Sequence, residues 1–326
     1  MSSTKRTAMT ANGAATATRQ RRKQHHSQHA TTVSIIGAGR LGTALARALS
    51  HCGYTIEAVV ARSITSARRA ARLSGAHPLA LTSTQLGQLP ASSILFITTP
   101  DDCIADTSTQ LAAIFRQQQP QRGRIILHAS GALSSDALCD LRDVGFATGS
   151  LHPLISISDP LKGAESLSEA FYCIEGEPQA VNLARSLVRR LGGQSFSVNT
   201  KDKALYHAAA VMASGHMTAL FQIATEMLQL CGLSEKRARA VLLPLVRSTI
   251  KNLATHTPAR ALTGTFARAD LETMRRHLTA LRSQADGEAL AAYALLGSRS
   301  LQLAGKDDVN KAAAKEMARI LEEINS

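Results

Sequence analysis

Tryptophan is absent from this chain of 326 residues, and Phe, Trp and Tyr together make up only 3% of it. That scarcity argues against a carbohydrate platform and against an aromatic surface on which single-stranded nucleic acid stacks. Cysteine is sparse as well. Cys52, Cys103, Cys139, Cys173 and Cys231 are far apart, odd in number and form no CxxC pair. This spacing argues against a disulfide framework or a zinc site and suits buried thiols in a reducing compartment. No apolar run approaches the roughly 18 residues that span a bilayer. Acid is missing from residues 1–30, which also lack the apolar core of a secretory signal. The sequence therefore predicts a cytoplasmic protein with no membrane partner. It predicts no metal centre either, since the loosely spaced His25, His26 and His29 fall in the same acid-free tail.

What the chain does contain is enough apolar matter for a large core, 44% hydrophobic against 19% charged residues. Its length suits about two domains. The net charge is +13, and Lys5, Arg6, Arg19, Arg21, Arg22 and Lys23 supply nearly half of it. Residues 1–30 have no hydrophobic period and read as a disordered basic tail, although an organelle transit peptide has a similar composition. The remaining basic body suits an anionic small molecule. Nucleic acid is disfavoured, because no recognition-helix signature accompanies the charge.

From Thr32 onward, strands and helices alternate. Strands are predicted at Val33–Ile36, Ile56–Ala61, Ile94–Thr98, Arg124–His128, Phe146–Leu151, Phe171–Glu175 and Ser195–Val198. Helices are predicted at Gly39–Cys52, Ser66–Leu73, Asp102–Gln118, Ser134–Leu141 and Gln179–Leu191. Such alternation implies a doubly wound, mainly parallel α/β sheet of Rossmann type over residues 31–200. Residues 201–326 read as all-helical: one long helix over Asp202–Cys231, then Ser234–Lys251, Ala267–Gln284, Glu288–Leu303 and Val309–Ile324.

The most specific motif is Gly37-Ala38-Gly39-Arg40-Leu41-Gly42, a GxGxxG run that leaves a strand and opens a helix. In that context Gly37 allows the tight turn, Gly39 lets backbone approach a pyrophosphate, and Gly42 lets the helix pack on the sheet. The free N–H groups and the helix dipole then attract the phosphates. At the end of the next strand, NAD enzymes carry an acid for the ribose 2′-hydroxyl. This chain has Arg62 and Ser63 there, which favours the 2′-phosphate of NADP over NAD. Arg68 and Arg69 stand on the following helix. Thr99, Pro100 and Asp101 leave the strand Ile94–Thr98 at the edge where such sheets bind ligands, and are expected near the nicotinamide-side ribose.

Other chemistry-bearing residues reach the same edge. Ser130 and Gly131 follow one strand, and His152 precedes Pro153 on another. Lys203, Tyr206 and His207 open the long helix. At 100° per residue Lys203, His207 and Ser214 share one helix face. A cation, an imidazole and a hydroxyl there would bind a carboxylate and deliver a proton as hydride arrives. Lys203, His207, His152 and Ser130 are therefore the expected catalytic residues, with Gly131 and Ser214 expected to touch substrate.

At these residues the chain resembles a family of Rossmann-like proteins fused to a helical domain of unknown function, related to pyrroline-5-carboxylate reductase and 6-phosphogluconate dehydrogenase. The resembling segments are the Gly37–Gly42 loop, Thr99-Pro100-Asp101-Asp102, His128-Ala129-Ser130-Gly131-Ala132, Gly149-Ser150-Leu151-His152-Pro153-Leu154, Leu205-Tyr206-His207-Ala208-Ala209-Ala210-Val211 and Ala261-Leu262-Thr263-Gly264. The resemblance implies a helical domain of 6-phosphogluconate-dehydrogenase C-terminal type that forms a homodimer. It also implies an NADP oxidoreductase activity on an unspecified small keto, hydroxy or imino acid. The His152-Pro153 segment is similar to one in prephenate dehydrogenases, where the histidine contacts the reacting hydroxyl. Two departures stand out. Gly215 follows Ser214 where the family usually has Asn, and Gly264–Asp270 lacks the family's Gly-Pro and Arg-Gly-Asp. Arg268 and Asp270 remain as substrate-site residues donated across a dimer. The missing Asn also admits a non-catalytic NADP-binding or sensor protein.

Overall fold

The computed structural model describes residues 31–118, 121–304 and 310–326. The basic tail expected at residues 1–30 lies outside them. The chain divides into two compact units at Ala210/Val211, so Lys203, Tyr206 and His207 belong with the sheet.

The first unit is an eight-stranded sheet in the order β3-β2-β1-β4-β5-β6-β7-β8. Its strands are β1 (Thr32–Ile36), β2 (Thr55–Ala61), β3 (Leu79–Thr82), β4 (Ile94–Ile97), β5 (Ile125–His128), β6 (Ala147–Leu154), β7 (Phe171–Gly176) and β8 (Gln194–Phe196). Neighbours pair in parallel except β6 with β7. Central strands are continuously apolar because both faces are covered: all four residues of β4 are buried. On one face Val33, Ile35, Val59 and Phe96 pack with Leu45 and Leu49 of α1 (Arg40–His51). On the other, Ile36, Val60, Leu95 and Ile97 pack with Ile104, Leu111 and Phe115 of α2 (Ile104–Phe115).

Chain order reverses between β1 and β4, which is the switch point where open α/β sheets form a ligand crevice at the carboxyl ends of the strands. The opposite end is closed by polar contacts. Ser34 bonds Ser92 at 2.7 Å, Ser92 donates to Glu57, and the Arg124 Nε–H donates to the Ser92 carbonyl at 2.8 Å.

The second unit is helical. Its helices are Met217–Leu230, Glu235–Thr255, Pro258–Ala261, Leu271–Gln284, Gly287–Ala304 and Lys311–Asn325. Met274, Leu278, Ala294, Met317 and Leu321 form its core. Large apolar side chains nevertheless stay exposed along it, among them Met217, Leu220, Leu245, Leu253, Leu295 and Leu296.

Several local features differ from the sequence expectation, among them unpredicted helices at Pro160–Ser166 and Pro258–Ala261. Strand β3 is present at the sheet margin, where only Leu81 is buried, too weak an apolar signal to read. The segment expected as a helix at Ser134–Leu141 is a 3₁₀ turn followed by a short helix, Cys139–Asp143. The long helix is interrupted by a π turn at Met212–His216, between Lys203–Val211 and Met217–Leu230. The wider turn breaks the 100° wheel between His207 and Ser214, so these two do not share a face by simple periodicity.

Close β6–β7 packing depends on glycine. Gly176 has φ +130°, and a Cβ there would sit 2.5 Å from the Gly149 Cα and 2.6 Å from the Thr148 carbonyl. Gly176→Ala is expected to destabilise the protein by about 1–3 kcal/mol. An unchanged denaturation midpoint would show that the strands part freely here.

Candidate active site

The site is assembled at the carboxyl edge of the sheet. The turn after β1 is held by Gly37 and Ala38, whose N–H groups both donate to the Val60 carbonyl at 2.9 Å, and by Thr98 Oγ1, which donates to the Gly37 carbonyl at 2.7 Å. Each glycine has its own reason. Gly37 has φ +106°, and a Cβ there would lie 2.5 Å from the Thr98 backbone. A Cβ on Gly42 would collide with the Gly37 carbonyl and the Thr98 hydroxyl. Gly39 is different: a Cβ there meets nothing within 4 Å. Gly39 is the N-cap of α1, no side chain caps that end, and no acid lies in the first turn. The N–H groups of this first turn therefore have no capping side chain among the described residues, and Gly39 beside them borders open space.

Arg62 and Ser63 follow β2 and are exposed. Ser63 caps the helix Ile64–Ser74 by accepting from the Ser66 N–H at 3.2 Å. Arg62 takes part in no ion pair among the described residues. An unpaired guanidinium at this point fits a 2′-phosphate, whereas the Ser63 hydroxyl already donates to Ser66 Oγ at 3.0 Å. Thr99 Oγ1 is buried without a partner.

The loop after β5 is pinned from several sides. The Ser130 N–H donates to His128 Nδ1 at 3.2 Å, and His128 Nε2 lies 3.0 Å from the Ser134 carbonyl. An imidazole that accepts on Nδ1 carries its proton on Nε2, so His128 is a neutral staple. Burial pushes its pKa down to about 4. The Ser130 hydroxyl donates to Asp101 at 2.7 Å and accepts from the Ala132 and Leu133 N–H groups. Glu175 on β7 holds the Ser135 N–H and hydroxyl at 2.8 and 2.9 Å.

Lys203 reaches this loop from its helix. Its Nζ donates to the Ser150 hydroxyl at 2.8 Å and the Ser130 carbonyl at 3.2 Å. The side chain is 1% exposed, and burial lowers its pKa. Four residues on, His207 meets His152 edge-on, with ring centres 5.4 Å apart. Tyr206 approaches from the other side, its hydroxyl 2.7 Å from His152 Nδ1. Gly131 makes this approach possible, because a Cβ there would collide with His207 Nδ1 and lie 2.9 Å from His152 Nε2. Burial first, then the nearby His207 and Lys203 charges, bring the His152 pKa down to about 4.

The structure thus gathers Asp101, Ser130, Gly131, His152, Lys203 and His207 on one edge. Ser214, Arg268 and Asp270 lie in the second unit. Ser214 is exposed in the π turn. Asp270 caps the helix Leu271–Gln284 through bonds to the Thr273 N–H and hydroxyl at 3.0 and 2.8 Å, and these hold its carboxyl below the ordinary value. Exposed Arg268 is near enough to reinforce that effect. Sequence reasoning missed Ser150, Glu175 and the pairing of Tyr206 with His152. The period-2 alternation of β6 does put Ser150 on the face of His152, and Tyr206 stands three residues from Lys203 on a helix; both signals were available.

Residues 17–153 match the model of a Rossmann-like domain. Residues 170–300 match a domain of unknown function, DUF2520. The chain joins these two domains. Among curated proteins none matches it. Solved structures share its fold. A candidate NADP oxidoreductase from Bacteroides fragilis is 22% identical with a TM-score of 0.67, covering 83% of this chain and 98% of its own. A Thermotoga maritima protein is 21% identical with a TM-score of 0.58, over 90% and 98%. A pyrroline-5-carboxylate reductase from Coxiella burnetii is 14% identical with a TM-score of 0.51, over 91% and 99%. These likenesses establish a mostly parallel Rossmann-like sheet followed by a helical region.

The two depressed histidines give the pH dependence a sign. Between pH 6.5 and about 4 the unfolded chain binds protons that folded His128 and His152 refuse, so their contribution is full above pH 6.5 and is lost as pH falls. Each unit of displacement is about 1.4 kcal/mol. Thermal midpoints should drop across this window, and His128→Gln, which can keep both loop bonds, should flatten the drop. Equal slopes in the two proteins would mean that His128 titrates normally when folded.

Proposed function

We propose that this protein is an NADP-dependent oxidoreductase acting on a small keto, hydroxy or imino acid. The observation that carries the proposal is the uncapped start of α1, where Gly39 leaves open space beside free backbone N–H groups. In this reading Arg40, Leu41 and Gly42 hold the diphosphate with their backbone, Gly37 and Ala38 shape the turn, and Arg62 and Ser63 meet the 2′-phosphate. Thr99, Pro100 and Asp101 border the nicotinamide-side ribose, with the unpartnered Thr99 hydroxyl as an available bond. The bound cofactor would supply or accept the hydride.

The protein's own groups then divide the remaining work. Lys203 is unpaired by any carboxylate among the described residues, so its buried charge favours an anionic substrate. Because Lys203 and Ser130 are 1% and 5% exposed, they act by fixing the loop and its potential. His152 and His207 are only partly buried and are the groups that bond to substrate. The exposed apolar residues of the second unit support a homodimer in which a second copy covers them. Five cysteines without disulfides suit the cytoplasm.

A second reading is a non-catalytic NADP-binding or sensor protein. The enclosure of Lys203 and Ser130 favours it, since two groups expected to work on substrate are covered. Turnover of any acid or imine in a broad panel would remove it.

NADPH fluorescence should be quenched and shifted by the native protein and unaffected by Gly39→Asp, which sets a carboxylate against the diphosphate. Arg62→Ala should weaken NADPH about 10- to 100-fold, the worth of a charge-assisted bond, and leave NADH unchanged. A native protein that ignores NADPH ends the oxidoreductase reading.

A further inference from the structure

We propose that Tyr206 is a positioning residue that holds His152 as the neutral tautomer protonated on Nε2, making this N–H the hydrogen-bond donor offered to substrate. The inference rests on the oxidoreductase reading for its purpose but not for its geometry.

The hydroxyl of Tyr206 has two polar neighbours. One is His152 Nδ1 at 2.7 Å, and the other is the buried thiol of Cys173 on β7. A hydroxyl has a single proton to give. Imidazole nitrogen is a strong acceptor and thiol sulfur a weak one, so the proton goes to Nδ1. Burial pushes the phenol upward in pKa, which keeps it protonated as a donor.

A neutral imidazole that accepts on Nδ1 has its proton on Nε2. That nitrogen faces the Gly131 side, 2.9 Å from the position a Gly131 Cβ would take. His207 Nδ1 borders the same position, buried and without a partner. Hydrogen-bonding capacity is therefore left over on the Nε2 side of His152 and used up on the Tyr206 side. The rings of Tyr206 and His207 stand edge-on to His152, at 82° and 83°, and fix its plane. The charged and titratable groups around it are Lys203, His207, His128 and Asp101. Lys203 and the two imidazoles oppose a further positive charge and Asp101 favours one, and burial adds to the opposition. His152 thus offers a neutral N–H, one that polarises a carbonyl or imine without becoming a cation.

The test uses the full-length protein labelled with ¹⁵N-histidine, with His152→Asn to assign the signals. At pH 7 the His152 spectrum should show a protonated Nε2 and a bare Nδ1. Tyr206→Phe keeps the ring and removes the donor, and should abolish this single-tautomer signature. Cys173→Ser leaves the Tyr206 hydroxyl in place and should preserve it. With a turned-over substrate, Tyr206→Phe should lower kcat about 10- to 100-fold, as for other groups that fix a histidine tautomer, with little change in KM. NADPH affinity should stay within about twofold. A native protein protonated on Nδ1, or a tautomer unmoved by Tyr206→Phe, overturns the proposal. Failure of the native protein to bind NADPH strikes the oxidoreductase reading instead and leaves the tautomer result standing.

Discussion

The Lys203 ammonium bridges the loop after β5 and strand β6, giving one N–H to the Ser130 carbonyl and another to the Ser150 hydroxyl. A cation taken out of water without a carboxylate partner is unfavourable unless its protons are met. Here neutral oxygens meet two of them. The nearest acids are already engaged, Asp101 by the Ser130 hydroxyl and Glu175 by Ser135. This contact fixes where the helix Lys203–Val211 begins. Once Lys203 is set, helical geometry brings Tyr206 and His207 to the same edge of the sheet. The two sides of the His152 ring are thus determined by a residue that touches neither.

Much of the first unit could be read in the sequence because local and global signals agree there. The Val33–Ile36 run, the glycine turn and the apolar helix after it point to the same strand–turn–helix, and the structure has it. Strand β3 escaped because an edge strand buries little and needs little apolar sequence. The π turn escaped because Met212–His216 contains nothing that breaks a helix outright, Gly215 apart. It matters that this turn falls beside the junction of the two units at Ala210/Val211. A helical wheel drawn across it assigns Ser214 to the face of His207 on a periodicity that the backbone abandons between them.

The candidate site was legible as a set of residues and illegible as a set of bonds. His152, Lys203, His207 and Ser130 stand out by type and by their position after strands or at a helix start. Nothing in their spacing tells that Lys203 donates to Ser150, or that His152 is claimed by Tyr206 and not by Lys203. Those choices come from three strands and a helix converging, and from Gly131, whose missing side chain leaves room for two imidazoles. Sequence patterns register which face a residue occupies; partners across the sheet edge depend on packing distances that no period encodes.

The convergence also settles how charge is distributed. Three imidazoles, His128, His152 and His207, lie around one buried ammonium, and burial drives the pKa of His128 and of His152 down to about 4. His128 and His152 resist a second positive charge, since each added proton would meet Lys203 in a poorly solvated space. An anionic ligand at this edge would offset the ammonium and so match the one charge that Lys203 carries there. A neutral imidazole N–H beside a fixed ammonium is suited to hold a carbonyl or imine while the ammonium balances a ligand's negative charge, and this division follows from burial and from the Tyr206 hydroxyl at His152 Nδ1.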